Sequence, residues 1–314
     1  MRNFLIKRIF SMVLVLLVVS VMVFVIMHML PGNPAAIILG PEATNEEVAA
    51  LAAEMGLDQP VWVQFVEWVG RLVQGDMGES IFFQNKPVPE VIADHLEATI
   101  LLTILSLGMA VVVGIVSGVL AAAVHETFWD RGFMFITSLA VAIPNFWLGL
   151  MLALVFSIMI PLFPPAGYSP LSDGFWKCLS YLILPSITLA AGAVALIARM
   201  TRACMLDVLR NEYIRTAKAK GVRQSMVIFK HGLRNAIIPV VTVIGMTFAN
   251  LMGGAVVTES IFNIPGVGRL LIKSVFTRDY PVIEGVVIYI AIAWTVINLL
   301  VDIIYTFIDP RLEY

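Results

Sequence analysis

Mostly apolar stretches of about twenty residues or more recur six times along the chain, separated by polar segments of very unequal length. They run at about Ile9–Leu30, Thr99–Val124, Phe133–Ile160, Cys178–Ala198, Ile237–Thr258 and Gly285–Ile308. A helix needs roughly 20 such residues to cross the hydrocarbon of a bilayer, so each stretch predicts one span. The third contains Pro144, which removes a backbone donor and so predicts a kinked, tilted or broken span. The first follows Arg2, Lys7 and Arg8 in the manner of a secretory leader. Its apolar run exceeds the roughly 7–15 residues of a leader core, so a retained helix is expected.

The expected fold class is therefore all-α, a polytopic membrane protein with six transmembrane helices. Three regions follow: 1–98, the first helix with a long polar loop; 99–308, the membrane core with a basic loop at about 199–236; and 309–314, a tail. Composition agrees. Hydrophobic residues make up 60% of the chain and charged residues 13%, with a mean hydropathy of +0.93. Soluble domains run nearer half apolar and about a quarter charged. The surface is expected to meet lipid over most of its area. A net charge of −2 points to no nucleic acid. Cys178 and Cys204 are 26 residues apart. On one helix that is roughly 39 Å, beyond disulfide reach, so free thiols are expected. The four histidines form no metal-ligand spacing with cysteines or acids, and neither a metal nor a catalytic residue is expected.

Charge placement orients the spans. With the N-terminus inside, only Arg71, Lys86, Lys177, Arg269, Lys273 and Arg278 fall outside, and the other fourteen Lys and Arg fall inside. Positive charge favours the cytoplasmic face, so both termini are expected there. The segment 31–98 then lies outside and carries eleven acids against two bases. Thr44 with Glu47 spells a capping box and Gly56 suits a helix end, predicting a helix at Asn45–Met55. Pro60 suits the first turn of a second helix, where Trp62, Phe65, Val66, Val69, Leu72 and Val73 recur at helical spacing. An interfacial or packed helix is the plainer expectation; a gate or docking surface for an external partner is the sharper one.

Nine of the inside charges fall between Arg199 and Arg234. Within this loop Asp207–Ala219 and Gln224–Leu233 have helical composition. Gly221 separates them, as a residue free to take positive φ at a helix end. Attraction to anionic lipid accounts for the charge. It does not account for "EYIRTAKAKG" (Glu212–Gly221) followed by "NAIIP", which ends at Ile238-Pro239.

These residues resemble the EAA motif of binding-protein-dependent ABC importer permeases. "MGLDQP", "GDMGES", "RACMLDVL", "KHGLRNAIIPVVTV", "ESIFNIPGVGRLL", "RDYPVI" and "NLLVDIIYTFIDPRLEY", with the opening "IKRIFSMVLVLLVVSVMVFVIMHMLPGNPA", are similar to the first of the two permeases of the dipeptide/oligopeptide/nickel class. The resemblance covers essentially the whole chain. Thr216-Ala217 stands where many members have Ala-Ala. It implies a type I importer permease fold in which Glu212, Arg215, Thr216, Ala217 and Gly221, with Ile238 and Pro239, form the ATPase-coupling segment. It further implies a homologous second permease, two ATPase subunits that hold ATP and Mg, and an extracytoplasmic binding protein, with no cofactor in this chain. The expected cargo is a di- or oligopeptide, glutathione included, with nickel or a metal chelate as the alternative.

The chain contains no G-x-x-x-x-G-K-[ST], so no phosphate loop of its own is expected. "IPGVGRLL" reads as a turn rather than a nucleotide fingerprint. A secondary transporter or channel is the rival class, and it would need ionisable groups near mid-membrane. Only His28 and Asp302 approach that, both near span ends. For the substrate path, Thr247, Asn250, Gly254 and Thr258 fall near one face of the fifth span, and Asn145 follows the Pro144 break. Helix–helix packing through small and hydroxyl residues is the competing account.

Overall fold

A computed structural model describes residues 2–29, 34–40, 42–84 and 86–308; the tail at 309–314 lies outside them. The described residues are helical, with a single bridge, Glu79 to Pro87, and no strand. The helices are α1 (Arg2–Met29), α2 (Pro34–Leu39), α3 (Asn45–Glu54), α4 (Val61–Val73), α5 (Val88–Ala123), α6 (Phe128–Ala142), α7 (Asn145–Ala153), α8 (Phe175–Leu209), α9 (Glu212–Ala219), α10 (Gln224–Met226), α11 (Arg234–Ile261), α12 (Val267–Thr277) and α13 (Tyr280–Ile308). Among the described residues five helical stretches are long and apolar enough to cross a membrane: Ile6–Met29, Val88–Ala123, Phe175–Leu209, Gln224–Ile261 and Tyr280–Ile303.

A sixth span exists only if α6 and α7 count together, because they meet at a bend of 100°. The cause is local. Proline crowds the residue before it out of the helical region. Ile143 accordingly sits at ψ 124° and Pro144 at ψ 134°, so the ladder stops and restarts at Asn145. Past Ala153 the chain continues as a π-helical turn, Leu154–Met159.

Two compact units are distinguished. One comprises Met1–Leu96 with Arg269–Thr295, the other Glu97–Gly268 with Val296–Tyr314. In the first unit the capping box forms as spelled: Thr44 N donates to Glu47 Oε2 at 2.8 Å, and Glu47 N to Thr44 Oγ1 at 3.3 Å. The Thr44 N–H, together with the Thr44 hydroxyl, which also donates to Glu47 Oε2 at 2.8 Å, holds the Glu47 carboxyl below its usual range. The apolar face expected on α4 is divided. Phe65 and Trp68 stack near Phe24 of α1, at ring-centroid distances of 5.2 and 5.8 Å, while Trp62, Val66 and Val73 are exposed. The loop before α5 is pinned by Asp279, which is fully buried. Its carboxylate accepts from Ser80 Oγ at 2.5 Å and from the backbone N–H groups of Ile81 and Phe82 at 3.2 and 3.1 Å. The Lys273 ammonium lies 4.6 Å from the Phe82 ring centre, within cation–π range.

In the second unit α8 is the central helix. The most apolar window of α8 is 61% buried, against 17–33% for the other long helices. It packs against α6, α7 and α11. Where α5 meets it, two glycines four apart, Gly114 and Gly118, leave room for backbone contact. A Cβ on Gly118 would stand 2.6 Å from the Ala198 carbonyl oxygen and 2.6 Å from Thr201 Cβ. Without a hydrophobic force between helices in lipid, such close approach is a principal source of association. The glycines of "IPGVG" are explained the same way. Glu259 is fully buried and accepts from Thr99 Oγ1 at 2.6 Å. A Cβ on Gly266 would fall 2.2 Å from its carboxyl group. Thr99 Oγ1 in turn accepts from Val267 N at 2.8 Å. Both cysteines lie on α8 as free thiols.

Gly118→Leu is expected to overpack this contact and to cost about 1–3 kcal/mol. A lowered thermal unfolding midpoint of the detergent-solubilised protein would report it. Gly108→Leu, on the same helix with nothing within 4 Å of its Cβ position, is expected to leave the midpoint unchanged.

Candidate functional site

The basic loop resolves into parts that its composition did not separate. Asp207, expected in the loop's first helix, belongs to the last turn of α8, which ends at Leu209. Two residues later Asn211, in extended conformation, starts α9. A Schellman end closes α9. Gly221 N donates to Lys218 O at 3.0 Å and Val222 N to Ala217 O at 3.2 Å, with Gly221 at φ +74°. Only glycine takes that φ without strain. Gln224 then opens α10, and Val227–Leu233 winds as a π-helical segment into α11. The expected second helix, Gln224–Leu233, is thus the head of a 38-residue helix, Gln224–Ile261.

α9 is held to the chain by one side. Ile214 is fully buried, Ala217 half-buried, and the rest of the helix exposed. Beside it Asn235 Nδ2 donates to Tyr213 Oη at 2.8 Å, and Tyr213 Oη donates to the His231 carbonyl at 3.4 Å. The helix therefore packs on the π-helical segment. The opposite face carries Glu212, Arg215, Thr216 and Ala219, at helical spacings of three and four residues. Arg215 pairs with Glu212 at 2.9 Å on the surface, and Thr216 Oγ1 donates to the Glu212 carbonyl at 3.0 Å. Glu212 at the start and Lys218 near the end match the helix dipole. Of the two small residues, Ala219 is open to a partner, whereas Ala217 is turned partly toward the chain itself.

Beneath α9 the last turns of α8 meet the π-helical segment. A Cβ on the buried Gly232 would stand 3.2 Å from Met205 Cε and 3.4 Å from Leu209 Cδ2. Met205, Ile228 and Ala236 join Val119 and Ala122 of α5 in one apolar cluster. Ile238 is half-buried and Pro239 exposed in the second turn of α11. Pro239 has no N–H, so the Asn235 carbonyl has no helical donor.

One polar cluster escaped sequence reading. Asp130, nearly buried at the start of α6, accepts from Arg202 of α8 at two points, Nε at 2.7 Å and Nη2 at 2.6 Å. The Glu126 N–H adds a third bond at 3.1 Å. His125 Nδ1 lies 3.2 Å away.

The residues proposed to line a path do not share one environment. Thr247 and Thr258 are buried, and Thr247 Oγ1 donates to the Val243 carbonyl at 2.6 Å. Asn250 and Asn145 are exposed, and Gly254 sits against Leu189 of α8. His28 is tied to the Phe24 carbonyl at 2.9 Å and to Gln64 at 3.1 Å.

Described residues that are helical, with five or up to six apolar spans and between two of them a short helix with an exposed polar face, make this a polytopic membrane protein. Comparison with known proteins names its family. The chain belongs to the binding-protein-dependent transport system inner membrane components, whose family description matches residues 114–314; the N-terminal part of the same type of component matches residues 1–103. The glutathione transport system permease protein GsiC of Escherichia coli is 43% identical over 314 residues, all of both chains. A Brucella abortus protein named "Putative peptide transport system permease protein" is 41% identical over 314 residues, again all of both chains. Among solved structures, the inward-facing MetNI methionine ABC transporter matches with a TM-score of 0.59 at 18% identity, covering 70% of this chain and 96% of that one. That likeness shows the fold. The protein is a membrane permease subunit of an ABC importer, a class that works with ATPase and binding-protein partners.

Tyr213→Phe removes the hydroxyl that joins Asn235 to the His231 carbonyl. The amides of α9 are expected to exchange hydrogen faster, with local protection falling by about 0.5–1.5 kcal/mol. The global unfolding midpoint is expected to stay where it is.

Proposed function

We propose that the chain forms half of a peptide-conducting path and that α9 is where the ATPases act on it. The observation that carries this is the face of Glu212, Arg215, Thr216 and Ala219, exposed on a helix that Ile214 and the Gly221 turn hold rigid. A lever needs stiffness and a surface that a partner can grip at close range, and small residues supply the latter. Glu212, Arg215, Thr216, Ala217 and Gly221, with Ile238 and Pro239, are the coupling residues in this reading. Both termini and α9 face the cytoplasm. A homologous second permease, two ATPases and an extracytoplasmic binding protein complete the assembly. ATP and Mg are held by the ATPases, and the chemistry of hydrolysis stays there.

The cargo is a di- or oligopeptide, with glutathione within its range. The 41% and 43% identities to relatives named for peptide and glutathione transport support this class. Selection rests with the binding protein, so the path needs only modest affinity. Asn250 and Asn145 are its polar candidates, together with Gly254 and the hydroxyls of Thr247 and Thr258. The segment Asn45–Gly75 receives the binding protein or gates the path.

Three outcomes are expected in the assembled transporter. Ala219→Arg leaves the permease in the membrane but lowers import at least roughly tenfold, as a desolvated, unpaired charge would in a packed interface; normal import contradicts the docking face. Gly221→Pro, incompatible with φ +74°, separates ATP hydrolysis from import, read as cargo moved per ATP. Deletion of Asn45–Gly75 abolishes import without loss of membrane insertion, and import that survives it removes the gating role. Titration of the cognate binding protein with di- and oligopeptides, glutathione and Ni²⁺ tests the cargo.

A further inference from the structure

The end of α8 faces two ways. Met205 and Leu209 pack on Gly232 of the π-helical segment that carries α9. Arg202, less than one turn before Met205, reaches instead to Asp130 on α6, 72 residues back along the chain. The bond is bidentate and sheltered: Asp130 is 4% exposed and the Arg202 side chain 22%. The Glu126 N–H and the His125 ring close round the same carboxylate, and Glu126 is held at φ +65°, a costly conformation for a non-glycine residue. A surface ion pair contributes little, but a bidentate one in this shelter fixes the relative position of two helices.

α6 is the helix that needs such a link. It ends at Ala142, and the chain bends by 100° at Ile143–Pro144 into α7, whose Gly149 packs on Thr188 of α8. A helix broken from its continuation transmits displacement poorly along its own axis. We propose that Asp130 and Arg202 are a positioning pair that makes the ends of α6 and α8 move as one body, so that a displacement of α9 reaches the broken α6–α7 pair as well as α8. This rests on α9 being the helix on which the ATPases act. Neither residue touches cargo or nucleotide in this account.

The test uses the complete transporter, with its partner subunits and binding protein, in lipid nanodiscs. Asp130→Asn and Arg202→Lys are expected to leave complex assembly and ATP hydrolysis near the unaltered level. Cargo moved per ATP is expected to fall about tenfold, within the range of effects at residues on a coupling route. A purely structural role predicts less assembled complex with cargo per ATP unchanged, and that result overturns the proposal. A second measurement covers the case in which Asp130→Asn fails to assemble. Asp130→Cys with Arg202→Cys, in a background with Cys178 and Cys204 replaced by alanine, is bridged by a bismaleimide. Import per ATP is expected to be low before bridging and restored after it, because the two helices need not move apart. Import that is normal before bridging, import blocked by the bridge, or failure of every variant to assemble counts against the pair. Absence of ATPases from the purified, unaltered complex would instead count against the role of α9 itself.

Discussion

Backbone amides in hydrocarbon have no water to turn to, so lipid-exposed chain stays helical until it leaves the bilayer. All communication with a soluble engine must therefore pass through the places where spans stop. In the proposed coupling the stop that matters is the end of α8 at Leu209. Two non-helical residues later α9 begins, runs for eight residues, and is shut off by Gly221 in the left-handed region. Had α8 run on, or had the turn carried a side chain intolerant of that φ, the polar face of Glu212, Arg215, Thr216 and Ala219 would have had no fixed orientation. Its stiffness comes from below, where Ile214 and Tyr213 tie it to a π-helical segment that is itself packed on α8.

The second unit follows the physics of lipid in the same way. Helices with no hydrophobic drive to meet are joined where glycine lets backbones touch, at Gly118 against Ala198 and Thr201 and at Gly245 against Val301. Some of the buried polar groups tie distant parts of the chain together. Glu259 seats the Gly266 turn through Thr99, and Asp130 joins α6 to α8. In the first unit Asp279 does similar work, gathering the Ser80–Phe82 turn.

Much of this was legible in the residues. Five of the six apolar runs overlap helices long enough to span, because apolar length carries that signal directly. The capping box at Thr44 and the left-handed glycine at 221 were readable because each is a local rule with a specific residue attached. Helix ends were less so. α5 begins at Val88 rather than Thr99, since Glu90, Asp94 and Glu97 lower the apolar count without breaking the helix. The split between Asp207 and Glu212 was missed although Asn211, which starts α9 in extended conformation, is a residue type favoured at helix starts. The Asp130–Arg202 and Asp279–Ser80 contacts join residues 72 and 199 positions apart, beyond any local pattern. Among the polar residues of the fifth apolar run, spacing alone grouped Thr247, Asn250 and Thr258. Burial separates them: Asn250, three residues after Thr247, is turned roughly 60° off the line that Thr247 and Thr258 share and is exposed, while the two threonines are buried.

The measurement that bears most directly on the account is site-specific cross-linking from α9. A single cysteine at Ala219, in the assembled transporter lacking Cys178 and Cys204, is treated with a short bismaleimide and the products are resolved by mass. A covalent adduct between this chain and an ATPase subunit is expected, together with protection from a membrane-impermeant maleimide added to intact cells. Labelling of Ala219→Cys from outside, with no adduct to a nucleotide-hydrolysing subunit, would contradict it.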